Sequence, residues 1–284
     1  MTGNDTGQIM TAVTSSNTEC LKLKTGLFTR SRVDVVLEKE FSINVNGKHL
    51  VTASITPGME REFITGYLYT QGFIDSITEL ESVSVEENHG KVIIKNEKKM
   101  SDRTAKTGYR IVSSGGRTAF SGEMDYPVIR SDLKIDKKVV FTAMNTLFEK
   151  AEIYKATEGA HSAGLFTTDA SPLCMVEDIG RHNCLDKLTG YALINGIDCA
   201  GTFLVSTGRM ASEMVAKICR AGIPVAATKT AVTDKGLEIG RKCGMTIIGF
   251  VRDTGTRINT NMEMRVITKA GMKIYTGAER ITGE

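Results

Sequence analysis

None of the six cysteines (Cys20, Cys174, Cys184, Cys199, Cys219, Cys243) forms a C-x-x-C pair with another. That weakens any zinc-site reading. There is no long apolar run. The longest charge-free stretch, Thr6 to Thr18, is polar and short of the ~20 residues a spanning helix requires. Net charge is slight: 36 Lys and Arg against 33 Asp and Glu leave +3, which argues against a dedicated nucleic-acid binder. No basic region followed by an apolar run marks the N-terminus, so reduced thiols and a cytoplasmic home are expected. No internal repeat is visible, and no G-x-S-x-G elbow provides a nucleophile. Disorder as the general state is excluded by 41% hydrophobic and 24% charged residues, an ordinary globular balance.

What is present falls into two textures. Residues 1 to about 25 are Thr-, Ser- and Asn-rich with weak periodicity and read as a tail. A smaller α+β part is expected over 26–150. Phe41–Val45 alternates, Asn46-Gly47 signals a tight hairpin, and Lys48–Thr52 continues the pattern. Thr56-Pro57 reads as a helix start, with Thr56 as N-cap and Gly72 as stop. Strands are expected around Asn88-His89-Gly90, and Asp136 should cap a second helix.

From about residue 151 to 284, strands and helices alternate with Gly-terminated turns. Phe203-Leu204-Val205 and Thr246-Ile247-Ile248 are apolar on both faces, as in a sheet covered on both sides. This predicts an α/β domain. A final hairpin is expected within Arg265–Tyr275, around Ala270-Gly271.

Three strand-to-helix or strand-to-loop junctions carry candidate chemistry. The first is Glu177–Lys187, where Arg181 and His182 offer donors to an anion near a helix N-terminus and Asp178 is placed to fix the His182 tautomer. Cys184 lies in the same turn, where Arg181, His182 and the helix start would lower its thiol pKa, but a small buried residue on the helix face is the favoured reading. The second is Ser206-Thr207-Gly208-Arg209, a phosphate-cradle pattern. The third is Phe250-Val251-Arg252-Asp253-Thr254-Gly255. Solvated charges on capped helices and plain loops account for each of them alone. Together, Arg181, Arg209 and Arg252 are expected to converge, because ligands gather at the carboxyl ends of open α/β sheets. His161-Ser162-Ala163 invites comparison with zinc deaminases, but Ala163 stands where their H-x-E motif has its glutamate, and no P-C-x-x-C follows. His161 remains a pocket-lining candidate, and no metal ligands are assigned.

These segments, in this order, resemble the FdhD family of formate dehydrogenase accessory sulfurtransferases over roughly residues 33–276. The most specific stretch is Glu177-Asp178-Ile179-Gly180-Arg181-His182-Asn183 with Leu185-Asp186-Lys187. The resemblance implies a cytidine-deaminase-like three-layer C-terminal domain without zinc, in a cytoplasmic homodimer. It implies a bound cargo, the molybdenum or tungsten bis-molybdopterin guanine dinucleotide cofactor, held by Phe250 to Gly255. It further implies sulfur drawn from a cysteine desulfurase, with formate dehydrogenase as client. The family's persulfide cysteines fall at Gly115 and Thr118 here. No catalytic residue is therefore carried over, and a binding module without sulfur transfer is the alternative expectation.

Overall fold

The computed structural model describes residues 14–95, 110–111, 117–118, 126–254, 257–260, 263–266 and 269–283. Strand β1 (Ser15–Lys24) pairs along its whole length with β2 (Leu27–Val36) in an antiparallel hairpin. The expected tail over residues 1–25 is thereby corrected for its second half. Thr25 and Gly26, at φ 48° and 84°, make the turn. The strand left no alternation signal because most of its residues are exposed on both faces.

A four-stranded sheet follows, ordered β4-β3-β6-β5, from β3 (Lys39–Val45), β4 (Lys48–Ile55), β5 (Leu80–Glu86) and β6 (His89–Ile94). Phe41, Ile43 and Val45 turn alternately inward, and Asn46-Gly47 makes the expected turn at φ 47° and 76°. Helix α1 (Glu60–Thr70) covers this sheet with Phe63, Ile64 and Leu68, and Gly72 at φ 76° follows its end. The helix starts later than expected, after Met59 in a left-handed conformation. Thr56 is not its cap. It is buried and bonded to the C-terminal unit instead.

Short strands β7 (Arg110–Ile111) and β8 (Arg117–Thr118) pair with each other, and β9 (Ile135–Asp136) leads into helix α2 (Lys137–Glu149), capped by Asp136 as expected. Helix α3 (Glu152–Thr157) precedes the main sheet. That sheet takes β10 (His161–Phe166), β11 (Pro172–Asp178), β12 (Phe203–Ser206), β13 (Val225–Thr228), β14 (Thr246–Arg252) and β17 (Gly271–Thr276) in the order β11-β10-β12-β13-β14-β17. Every residue of β12 and β13 is buried, because helices cover both faces. Helices α4 (Arg181–Ile194), α5 (Ser212–Arg220) and α6 (Asp234–Cys243) pack on one face. Helix α2 packs on the other, placing Val140, Met144 and Leu147 against Phe166, Phe203 and Val225. The result is the three-layer α/β arrangement expected.

Two boundaries differ from expectation. The division at residue 150 assigns α2 to the N-terminal part. Its apolar stripe instead completes the C-terminal core, since α1 already covers the N-terminal sheet. The final hairpin around Ala270-Gly271 does not form. Strand β16 (Glu263–Val266) pairs with β15 (Arg257–Thr260), while β17 joins the main sheet antiparallel to β14. The last strand, β18 (Ile281–Thr282), returns to β9. Among the described residues no helix is long and apolar enough to cross a membrane.

The two units meet through α1 and α4 at backbone contact. A Cβ on Gly66 would lie 1.8 Å from the Asp186 carbonyl oxygen, and one on Gly190 would lie 1.8 Å from that of Glu62. Buried polar groups lock the contact. Lys217 Nζ reaches Asp186 Oδ2 at 2.5 Å, and Thr70 Oγ1 donates to Asp186 Oδ1 at 2.6 Å.

Candidate functional site at the carboxyl edge of the main sheet

Strands β11, β12, β13 and β14 all end at one edge, and antiparallel β10 begins there. That edge therefore gathers Asp178–His182, His161, Ser206–Arg209, Thr228–Thr230 and Phe250–Asp253. Adjacent strands lie ~4.8 Å apart, so the ends of β12 and β14 are separated by about 10 Å. The three arginine-bearing turns share one rim.

At the first end, Asp178 builds the turn that presents Arg181 and His182. Its Oδ1 accepts from Gly180 N at 2.9 Å and from Asn183 Nδ2 at 2.7 Å. Its Oδ2 takes Lys187 Nζ at 2.7 Å and Thr56 N at 3.0 Å. Lys187 also donates to the Thr56 carbonyl at 2.7 Å, and Ile179 N donates to Thr56 Oγ1 at 3.1 Å. Asp178 thus holds the backbone. It does not fix the His182 tautomer, because its oxygens are already engaged. The carboxylate facing His182 is Glu213 of α5, with Oε2 3.4 Å from Nε2.

The stem of Arg181 runs over Gly208. A Cβ there would lie 2.8 Å from Arg181 Cβ, so glycine makes room for the guanidinium stem. Thr207 ties the neighbouring turn to β10: Ser162 N donates to its Oγ1 at 3.0 Å, and His161 Nδ1 lies 3.4 Å from the same oxygen. Burial lowers the pKa of His161, and the charges of Arg181, His182 and Arg209 lower it further. Burial also lowers His182 against the opposing hydrogen bond from Glu213, and lowers Arg181 together with the charge of Arg209. His161, Arg181 and His182 therefore share one electrostatic cluster beside Arg209, in which the charged form of each of the three is disfavoured by burial and by neighbouring cations. An anion entering the cluster would relieve that repulsion.

At the second end, Phe250 has φ 55° and breaks the β14 register beside Gly249. Two cations flank its ring. Arg252 Cζ lies 5.6 Å and Lys273 Nζ 4.8 Å from the ring centroid. Arg252 Nε is buried and has no hydrogen-bond partner among the described residues. An orphaned guanidinium donor of this kind suits a diphosphate oxygen. Lys229, which follows β13, lies 4.5 Å over the Phe148 ring and has its pKa lowered by burial and by Arg252.

The other members of this segment do different work. Val251 is buried in the core beneath α2. Asp253 accepts from Asn145 Nδ2 at 2.8 Å, anchoring the loop to α2, and that bond holds its carboxyl below the usual range. Thr254 is exposed, and Gly255 lies outside the described residues. Lys229 and Lys273 were not singled out from sequence. The signal for Lys229 was available: it follows a parallel strand as Arg209 does. Lys273 comes from an antiparallel neighbour and carries no such mark.

Four of the six thiols are buried, and Cys20 and Cys199 are half-buried. Cys184 is fully enclosed, as the buried reading expects, and burial pushes it well above the usual thiol range where the helix start alone would lower it. Its Sγ faces inward, toward the His161 carbonyl at 3.4 Å. Burial pushes Cys174 up to about 12 and Cys199 up to about 11. Cys219 and Cys243 are sealed in the core. Gly115 and Thr118 carry no thiol, and residue 115 lies outside the described residues.

Comparison with known proteins accords with this architecture. The model of the FdhD/NarQ family matches residues 36–282. A sulfur carrier protein FdhD from Sulfurisphaera tokodaii is 33% identical over 75% of this chain and 82% of its own length. Another, from Sulfolobus acidocaldarius, is 32% identical over 85% of this chain and 95% of its own. The crystal structure of a putative formate dehydrogenase accessory protein from Desulfotalea psychrophila superposes with a TM-score of 0.72 at 21% identity, covering 95% of this chain and 100% of that one, and so shares the fold. The chain belongs to the FdhD/NarQ family.

Proposed function

We propose that this chain is an accessory protein for formate dehydrogenase that binds the molybdenum or tungsten bis-molybdopterin guanine dinucleotide cofactor as cargo. It supports sulfuration of that cargo with sulfur from a cysteine desulfurase, working in the cytoplasm as a homodimer. The names of the curated relatives support the sulfur-carrier assignment. The observation that carries the binding role is the buried Arg252 Nε without a partner among the described residues, on the same edge as Arg181 and Arg209. Arg252 with Lys229 would hold one phosphate region, and Arg181 with His161 and Arg209 another. The cargo supplies the metal centre to which sulfur is added. The chain's own part is to neutralise the diphosphates and orient the pterins.

A second reading is favoured by Gly115 and Thr118 together with the burial of Cys174, Cys184, Cys219 and Cys243: the chain holds the cargo but carries no sulfur on a thiol of its own. Titration calorimetry of the full chain with GDP and with the cofactor tests binding. Mass spectrometry after incubation with a desulfurase and cysteine separates the two readings. A mass increase of one sulfur supports carriage, and an unchanged mass with binding retained supports the holder.

A further inference from the structure

Helices α5 and α6 follow the parallel strands β12 and β13 and pack on the same face of the main sheet. They therefore run in the same direction, and their C-terminal ends fall together at the amino edge, away from the rim. Helix α6 buries Gly236, Gly240 and Cys243 along one face. Helix α5 buries Val215 and Cys219, four residues apart. A Cβ on Gly236 would lie 3.4 Å from Val215 Cγ2 and 2.6 Å from the Met210 carbonyl oxygen, so glycine draws the two helices together there. One turn further along α5 and two along α6, the thiols meet. Cys219 and Cys243 share a sulfur hydrogen bond.

A cavity of about 370 Å³ lies against this end of the pair, with Cys219, Arg220, Tyr69 and Ile129 in its wall. Arg220 is fixed there by the carbonyls of Tyr69 and Ile74 and by Asp75. Cys243 is held at the same wall, because Ile129 N donates to its carbonyl at 2.8 Å. Both cysteines are 0% exposed. A bulky thiol cannot align with a sulfur that has no open surface. Hydrogen peroxide is barely larger than water and needs only a small opening of the cavity wall.

We infer that Cys219 and Cys243 form a dithiol site for small peroxides, closing reversibly to a disulfide within the chain. The Cys219 sulfur attacks the peroxide: an S–O bond forms, the O–O bond breaks, and water leaves, so Cys219 becomes a sulfenic acid. The Cys243 sulfur then attacks that sulfur: an S–S bond forms, the S–O bond breaks, and a second water leaves with the Cys243 proton. Two thiols lose two electrons, and one peroxide is reduced to two waters. Thiol contact makes the second step intramolecular, so the sulfenic acid is captured before further oxidation. Cys184 has a different neighbour, since its Sγ faces the His161 carbonyl. The closed link joins the two ends of the segment that carries β13 and the rim cation Lys229.

Peptide mapping of the full chain by mass spectrometry tests it. The reduced chain is treated with hydrogen peroxide, denatured, alkylated and digested without reductant. The expected product joins the Cys219 and Cys243 peptides at ~2 Da below the sum of their thiol forms, and it forms about tenfold or more faster than any oxidation of Cys174 or Cys184. Dithiothreitol should restore both thiols. Cys243→Ala should abolish the linked product and let Cys219 pass on to sulfinic acid. Recovery of Cys219 and Cys243 as alkylated thiols after prolonged peroxide overturns the inference. So does sulfinic acid at Cys219 in the wild-type chain, or a link from Cys219 to another cysteine. The wild-type map decides the matter even if the variant fails to fold, and none of these readouts involves the cargo or sulfur transfer.

Discussion

The two ends of the carboxyl edge carry similar numbers of cations but are built differently. At the Arg181 end, buried polar groups support the turn: Thr56 from the N-terminal unit, Asp178 with Lys187 beneath, and Glu213 beside His182. At the Phe250 end, the cations stand over an aromatic ring, and Arg252 Nε has no partner among the described residues. The contrast shows how one sheet edge can place its cations on two different kinds of support. The first end is braced by buried polar groups, and the second is built on an aromatic ring.

The largest break in that comparison should come from Asp178→Ala. It leaves the Lys187 ammonium buried without its carboxylate, which costs about 3–5 kcal/mol. Urea denaturation should show the loss, with the Thr56 contact gone as well. Arg252→Ala should do the opposite. Stability should stay nearly unchanged, while calorimetry should show affinity for GDP or the cofactor reduced ~10- to 100-fold, equivalent to about 1.5–3 kcal/mol. An Arg252→Ala chain with wild-type affinity would place the ligand elsewhere.

Acidification should distinguish the ends again. His161 and His182 have folded-state values below the ordinary 6.5, chiefly through burial. The unfolded chain therefore binds protons first, and stability declines as pH falls through about 6.5. Thermal melts should show that decline, His182→Asn should flatten it, and Lys273→Ala should leave it alone. Lys273→Ala should have the smallest effect on binding, about 0.5–1 kcal/mol, because an exposed ammonium over a ring contributes little beyond its charge. Calorimetry at two salt concentrations would measure it.

Much of the architecture was legible because burial imposes periodicity. Phe41, Ile43 and Val45 alternate, Val140, Met144 and Leu147 recur at helical spacing, and Gly72 and Gly196 mark helix ends at φ 76° and 65°. The β1–β2 hairpin was not legible, because a ribbon exposed on both faces needs no apolar alternation. The candidate rim was legible as three basic turns after strands. Its supports were not: nothing in the sequence pairs Lys187 with Asp178 or Lys217 with Asp186, and only the tertiary fold sets them together. Arg252 was visible in sequence, but the aromatic ring beneath it owes its position to the positive φ of Phe250, which the amino-acid type does not announce.

The touching backbones at Gly66 and Gly190 constrain how any cargo can come and go. Helices separated by side chains can slide past one another by small rotamer changes; two helices in main-chain contact have no such lubricant. The N-terminal sheet and the three-layer α/β unit must therefore travel as one rigid piece. For the cargo proposed above, loading and release would then fall to the rim's own loops, not to a jaw opening between the halves.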